Sequence, residues 1–235
     1  MRGHGDDGGR DGRMNQTPWE QFVSSLWPIV QGALLGTIPL ALVSFVVGLA
    51  IALVVALMRL SRRRLVSGVA RVYVSLVRGT PLLVQLFVIF YGLPSVGVVI
   101  DPWPSAVAAF SINVGGYAAE VIRAAILSVP KGQWEAAYMI GMSRNVALRR
   151  IILPQAARVS VPPLSNTFIS LVKDTSLASL ILVTDLFQRA REIAAFNGEF
   201  MLVFLEAALV YWVICLGLSV LQSRLETRLD RYVAH

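Results

Sequence analysis

The sequence predicts an all-α, polytopic membrane protein with about five spanning helices, and three observations lead there. Hydrophobic residues fill 56% of the 235 positions and charged residues only 15%, and the mean hydropathy of +0.66 is far from a soluble domain's average. The apolar residues gather into long runs, and a helix needs about 20 such residues to cross a hydrocarbon core. The basic residues behind the formal charge of +7 are interleaved with these runs rather than drawn into a solvated stripe, so they read as membrane topology and not as a nucleic-acid surface.

Residues 1–27 open as MRGHGDDGGRDGRMNQTPWE, rich in Gly, Asp and Arg and without apolar periodicity. They are expected to form a disordered tail, and nothing in them resembles a signal peptide. Residues 28–229 are expected to form the membrane domain, and 230–235 a C-terminal tail. Spans are expected over residues 29–58, 73–93, 105–129, 159–183 and 200–221. The second is interrupted by Arg78, Gly79 and Pro81, and the fourth carries Lys173 and Asp174 mid-run. Pro154, Pro162 and Pro163 crowd the start of the fourth, where proline can break a helix and free carbonyls to line a cavity.

Arg and Lys in short loops resist translocation and so set orientation. Arg59, Arg62, Arg63 and Arg64 lie between the first two spans, followed by Arg71 and Arg78. Lys131, Arg144, Arg149, Arg150 and Arg158 lie between the third and fourth, whereas residues 94–104 hold no Arg or Lys. These basic loops are expected to face the cytoplasm, which puts the N-terminus outside and the C-terminus inside. A weakly charged loop around Arg189, Arg191 and Glu192 is the exception on the outer side. Trp27, Tyr91, Trp103 and Tyr211 are candidates for interfacial aromatics, with core packing an equal option for Tyr211.

The loop of residues 131–158, KGQWEAAYMIGMSRNVALRRIILPQAAR, is too long and too patterned for a simple connector. A short helix over residues 133–140, Gly141 as the left-handed residue that ends it, and Ser143 capping a second helix from Arg144 make a helix-turn-helix. Trp134, Ala137, Tyr138 and Met142 give it an apolar side, Ala136 and Ala137 permit close approach of another surface, and Glu135 is a polar handle. On shape alone this loop could equally pack beneath its own bundle. The spaced series Glu135, Ala136, Ala137, Gly141, Ile151, Leu153 and Pro154, however, resembles the EAA loop of permease subunits in binding-protein-dependent, ATP-driven (ABC) importers. That resemblance implies a type I importer permease fold. It also implies that the loop is a coupling helix docking into a groove on a cytoplasmic ATPase subunit.

RGTPLLVQLFVIFYGLP at residues 78–94, GGYAAEVIRAAILSVPKGQ at 115–133 and VKDTSLAS at 172–179 are similar to the polar amino-acid branch of that family, the histidine, glutamine and arginine type. The resemblance covers the chain from about residue 30. It implies an amino acid as the transported solute and a set of partners: two such permease subunits, identical or related, two ATP-binding subunits, and an external amino-acid-binding protein.

Ionisable groups within a span cost about 2.5–3.5 kcal/mol each on insertion scales, so each needs a partner, water or a role. Glu120 and Arg123 stand three residues apart and can pair within their helix; the alternative is a gate or substrate contact. Lys173 and Asp174 adjoin Thr175 and Ser176, with Ser170 and Asn166 one and two turns before Asp174. This polar strip is the expected substrate path, Asp174 taking one charge of an amino acid and hydroxyls and backbone ends the other. Glu206 has no evident local partner.

No GxxxxGK[ST] phosphate loop occurs, so ATP hydrolysis is expected in a separate subunit and the chain itself is not expected to be an enzyme. His4 and His235 lie in the terminal segments and Cys215, the lone cysteine, lies in an apolar run. No metal, cofactor or nucleic acid is therefore expected. A stand-alone secondary transporter or channel is the alternative, as is the same importer type carrying another small polar solute; a membrane-embedded enzyme would need a convergent set of catalytic side chains, and none is found.

Overall fold

The computed structural model describes residues 18–230, and every regular element among them is helical. Helix α1, Pro18–Gly32, passes through a π-helical turn, Ala33–Thr37, into α2, Ile38–Arg59. The chain is thus helical from Pro18, inside the segment expected as a tail; residues 1–17 lie outside the described residues. Helix α3, Arg64–Gly79, precedes α4, Leu82–Phe87, which runs on through a π turn, Val88–Gly92, and a 3₁₀ turn, Leu93–Val96. Then come α5, Pro102–Ser128, α6, Lys131–Met139, and α7, Arg144–Ala147, with its π turn Leu148–Ile152. Helix α8, Leu153–Asp174, continues as a 3₁₀ turn, Thr175–Ile181. Helices α9, Leu186–Asn197, and α10, Phe200–Asp230, complete the chain.

Among the described residues, Trp19–Arg59, Pro102–Ser128 and Phe200–Arg228 are single helices long and apolar enough to cross a membrane. Two bent pairs, Arg64–Gly79 with Leu82–Val96 and Arg144–Ile181 with Leu186–Asn197, bring the number to as many as five when each pair is counted as one span. The interruption expected in the second span is a bend of 106° between the two helices of the first pair. The cause is local. Thr80 precedes Pro81, whose ring drives its neighbour out of the helical region, and both residues are extended, at φ −123°, ψ 144° and φ −62°, ψ 140°.

The main core joins α2, α3, α5 and α8 around Leu40, Val74, Phe110 and Leu171. Small residues set its tightness. A Cβ on Gly48 would lie 2.6 Å from Val114, and one on Gly116 2.6 Å from Val77, so bare backbone lets α2, α3 and α5 approach closely. A second cluster, centred on Ile29, Leu186, Ala190 and Val203, binds α1 to α9 and α10.

Two sequence expectations are corrected. Helix α8 runs unbroken through Pro162 and Pro163, so these prolines do not open it. The charged stretch around Arg189 and Glu192 is no loop but α9, started by Asp185, whose side chain accepts a hydrogen bond from the Gln188 N–H at 2.8 Å. This is a helix N-cap hidden among charges. Trp27, Tyr91 and Trp103 are all exposed on the bundle, whereas Tyr211 turns inward to the α1–α9–α10 cluster and donates to Asp185 at 3.4 Å.

Candidate functional site

The bend between α3 and α4 leaves carbonyls at the end of α3 without helical partners, and side chains take them up: the Thr80 hydroxyl donates to the Leu76 carbonyl at 2.8 Å. Gln85 Nε2 donates to the Val77 carbonyl at 2.8 Å and to the Thr80 carbonyl at 3.1 Å, while Gln85 Oε1 accepts from Asn113 Nδ2 on α5 at 3.1 Å. The bend is thereby fastened to α5. Under it opens a cavity of about 420 Å³, walled by Thr80, Pro81 and Leu82 from the bend, by Asn113, Val114 and Tyr117 from α5, and by residues of α8.

The α8 wall is the polar strip. Asn166, Ser170 and Asp174 recur every four residues, so a helix sets them on one face, and all three line the cavity with Thr167 and Leu171. Asp174, half-buried, is the carboxylate in this wall. Outside the cavity's edge, the Arg78 guanidinium lies 5.5 Å from the centroid of the Tyr117 ring, within cation–π range.

The remaining residues of the expected path lie elsewhere. Asp174 ends α8, so Thr175 and Ser176 belong to the 3₁₀ turn rather than to a continuing strip. Thr175 is fully buried and donates to the Val172 carbonyl at 2.8 Å; the Ser176 hydroxyl donates to the Lys173 carbonyl at 2.8 Å, and Lys173 is exposed. Glu120 and Arg123 do pair within α5, at 3.0 Å, but Arg59 at the end of α2 also reaches Glu120, at 2.7 Å. One carboxylate is held by two guanidinium groups, and none of the three lines the cavity.

Sequence reasoning passed over Thr80, Asn113 and Tyr117. Attention to charges in apolar runs leaves out neutral polar residues, although the four-residue step from Asn113 to Tyr117 on an apolar helix was a usable signal.

The loop of residues 131–158 folds as the sequence implies in outline. Gly141 has φ +78°, its N–H reaches the Tyr138 carbonyl at 3.0 Å and the Met142 N–H reaches the Ala137 carbonyl at 3.0 Å, the paired bonds of a Schellman ending. The helix starts at Lys131, before the expected 133, and Ser143 occupies the N-cap position of α7 without a side-chain capping bond. Ala137 is fully buried, while Glu135, Ala136 and Gly141 are exposed. Ile151 and Leu153 pack beside buried Ile152 and Ala156 against the end of α5, and Pro154 stands in the first turn of α8. The Arg144 guanidinium donates to the Leu60 carbonyl at 3.4 Å, which places both basic loops at one end of the bundle.

Residues 46–231 match the family model of the binding-protein-dependent transport system inner membrane component. The chain is 59% identical to the L-cystine transport system permease protein TcyB of Bacillus subtilis, across 92% of this chain and 93% of that one. It is 37% identical to the glutamine transport system permease protein GlnP of Escherichia coli, across 88% and 96%. The fold superposes on a crystal structure of an amino acid ABC transporter with a TM-score of 0.85 and 34% identity, covering 91% of this chain and 99% of the other. The chain belongs to the family of binding-protein-dependent inner membrane components, as a multi-pass permease subunit of an amino-acid ABC importer. In such transporters the ATPase is a separate subunit, and a binding protein is a further partner.

Proposed function

We propose that this chain carries L-cystine or a closely similar amino acid, and that the cavity beneath the α3–α4 bend is where the substrate rests during passage. One observation supports this most: Asp174, Ser170 and Asn166 of α8 face Asn113 and Tyr117 of α5 across one cavity of about 420 Å³, a size ordinary for small-molecule sites. Asp174 takes the substrate's ammonium. The Ser170 hydroxyl and the two asparagine amides take its carboxylate, with Arg78 behind Tyr117 adding positive charge. L-cystine carries two ammonium–carboxylate ends, and the cavity receives one of them, its ammonium paired with Asp174. The high identity to a cystine permease supports the choice among amino acids.

The loop around Glu135, Ala136, Ala137 and Gly141, backed by Ile151, Leu153 and Pro154, serves as the coupling helix for the ATPase subunit. A second permease subunit, identical or related, completes the path, and the end of the bundle bearing both basic loops faces the cytoplasm, so that the first helix begins outside and α10 ends inside. ATP-driven closure of the partner pulls on α6, and the bundle swings from inward-facing to outward-facing.

The test is uptake of radiolabelled L-cystine, glutamine, arginine and histidine by cells lacking this gene and by the same cells with it restored. Loss and rescue confined to L-cystine is the expected result. Loss of another amino acid with cystine uptake intact overturns the substrate assignment, and unchanged uptake across the panel overturns the transport reading.

A further inference from the structure

At the end of the bundle that carries α6, a second cavity of about 940 Å³ opens between the α2–α3 connection and the 131–158 loop. Its rim holds five cations from three segments: Arg62 and Arg63, Lys131, and Arg144 and Arg149. No carboxylate lines it, and among the described residues none of the five takes part in an ion pair. Its floor is apolar, with Leu57 of α2, Leu60 just past the end of α2, and Ile126 and Leu127 from α5, and Leu127 is 59% exposed. These floor residues stand in, or just past, the last turns of two helices long and apolar enough to cross a membrane, so the cavity lies at the end of two candidate spans.

Helix α6 divides this cavity from the surface proposed for the ATPase. Lys131, Trp134 and Tyr138, spaced to share one helical face, line the cavity. Glu135, Ala136 and Met139 are exposed and do not line it, and Ala136 and Met139 lie on the side of the helix turned away from it. A partner seated on the Ala136 and Met139 side therefore leaves the basic cavity open at its membrane side.

We propose that this cavity binds a phospholipid with an anionic headgroup, drawn from the bilayer. The phosphodiester sits among the five cations, and the acyl chains lie along Leu57 and Leu127. Basic residues close to a membrane surface attract anionic lipids, and the attraction grows with each added charge. An apolar floor beneath a cationic rim suits a lipid and does nothing for a free phosphate. Because the cavity meets both Leu57 of α2 and Arg144 of the loop, a lipid in it bridges the spanning helices and the proposed coupling segment.

The test uses the whole transporter, ATPase subunit included, reconstituted in nanodiscs of equal parts phosphatidylcholine and phosphatidylglycerol and then weighed by native mass spectrometry. The wild-type complex is expected to retain phosphatidylglycerol in preference to phosphatidylcholine, and excess inorganic phosphate should not displace it. The triple substitution Arg62→Gln, Arg63→Gln, Arg149→Gln should weaken that retention by about tenfold or more. The same three positions changed to Lys should preserve it, as should Arg64→Gln with Arg71→Gln at exposed positions of α3. Equal retention of both lipids by the wild type overturns the proposal without recourse to any variant. So does displacement by inorganic phosphate, which marks a site for free anions, and so does undiminished retention by a folded Gln triple.

Discussion

Arg59, closing α2, holds its guanidinium 2.7 Å from the Glu120 carboxylate on α5, and Arg123 holds the same carboxylate from one turn further along at 3.0 Å. All three side chains are less than a third exposed, so removing the shared anion leaves two cations close together with little water to screen them. Glu120→Ala should cost about 1–3 kcal/mol, and Arg123→Ala less, since Glu120 then keeps Arg59. Thermal unfolding of the purified complex reads the difference. Equal, small shifts for both variants would show that the triad contributes nothing to holding α2 against α5.

Ser25 and Glu206, far apart in sequence, meet at the α1–α10 contact, where the Ser25 hydroxyl donates to Glu206 Oε2 at 2.5 Å. Glu206 is 1% exposed and its Oε1 has no hydrogen-bond partner among the described residues. Ser25→Ala should therefore destabilise by about 1–3 kcal/mol, while the double change Ser25→Ala, Glu206→Leu should recover most of it, because replacing both partners removes the unmet polar group. A double variant no more stable than Ser25→Ala alone would refute this account of the contact.

The close approach of α3 and α5 sets up a comparison between glycines. Gly116→Ala puts a methyl 2.6 Å from Val77, whereas Gly217 on α10 has open space around it. Overpacking should cost about 1–3 kcal/mol at position 116, and alanine at 217 should be neutral or stabilising by up to about 1 kcal/mol. Yields of folded protein by fluorescence-detected size exclusion should order the two variants accordingly, and the reverse order would contradict the packing described.

Much of this architecture is legible in the sequence because bilayer thickness and charge placement act through composition, and hydropathy reports both. The Gly79–Thr80–Pro81 break is visible, and Gly141 marks its own turn. What escapes is pairing across the bundle. Glu206 looks unpartnered until folding brings Ser25 to it, and the Glu120–Arg123 pair hides its third member on another helix. Helix α9 was missed because its charges suggested a loop, though its cap residue, Asp185, stands in plain view. On the cavity, the α8 wall is readable from four-residue spacing and the break at Pro81 is visible, but that Thr80 comes to face Asn113 and Tyr117 depends on how the bend packs against α5, which no local pattern specifies.

Coupling should fail selectively at the loop. Gly141 has φ +78° with nothing within 4 Å of a would-be Cβ, so Gly141→Ala suffers backbone strain of about 1 kcal/mol without a clash. Gly141→Asp adds a charge to the same strain, and Glu135→Ala removes the exposed handle. Glu135→Ala and Gly141→Asp should both insert into the membrane normally and let the ATPase subunit hydrolyse ATP while uptake falls. Normal coupled uptake in both would remove the coupling assignment.

L-cystine uptake into proteoliposomes by the Asp174→Asn complex tests most directly whether the α8 carboxylate holds the substrate's ammonium. The apparent KM should rise about tenfold or more, the equivalent of about 1.4 kcal/mol in lost binding, with the complex still assembled and still hydrolysing ATP. Wild-type KM and maximal rate in that variant would contradict the placement of the substrate in this cavity.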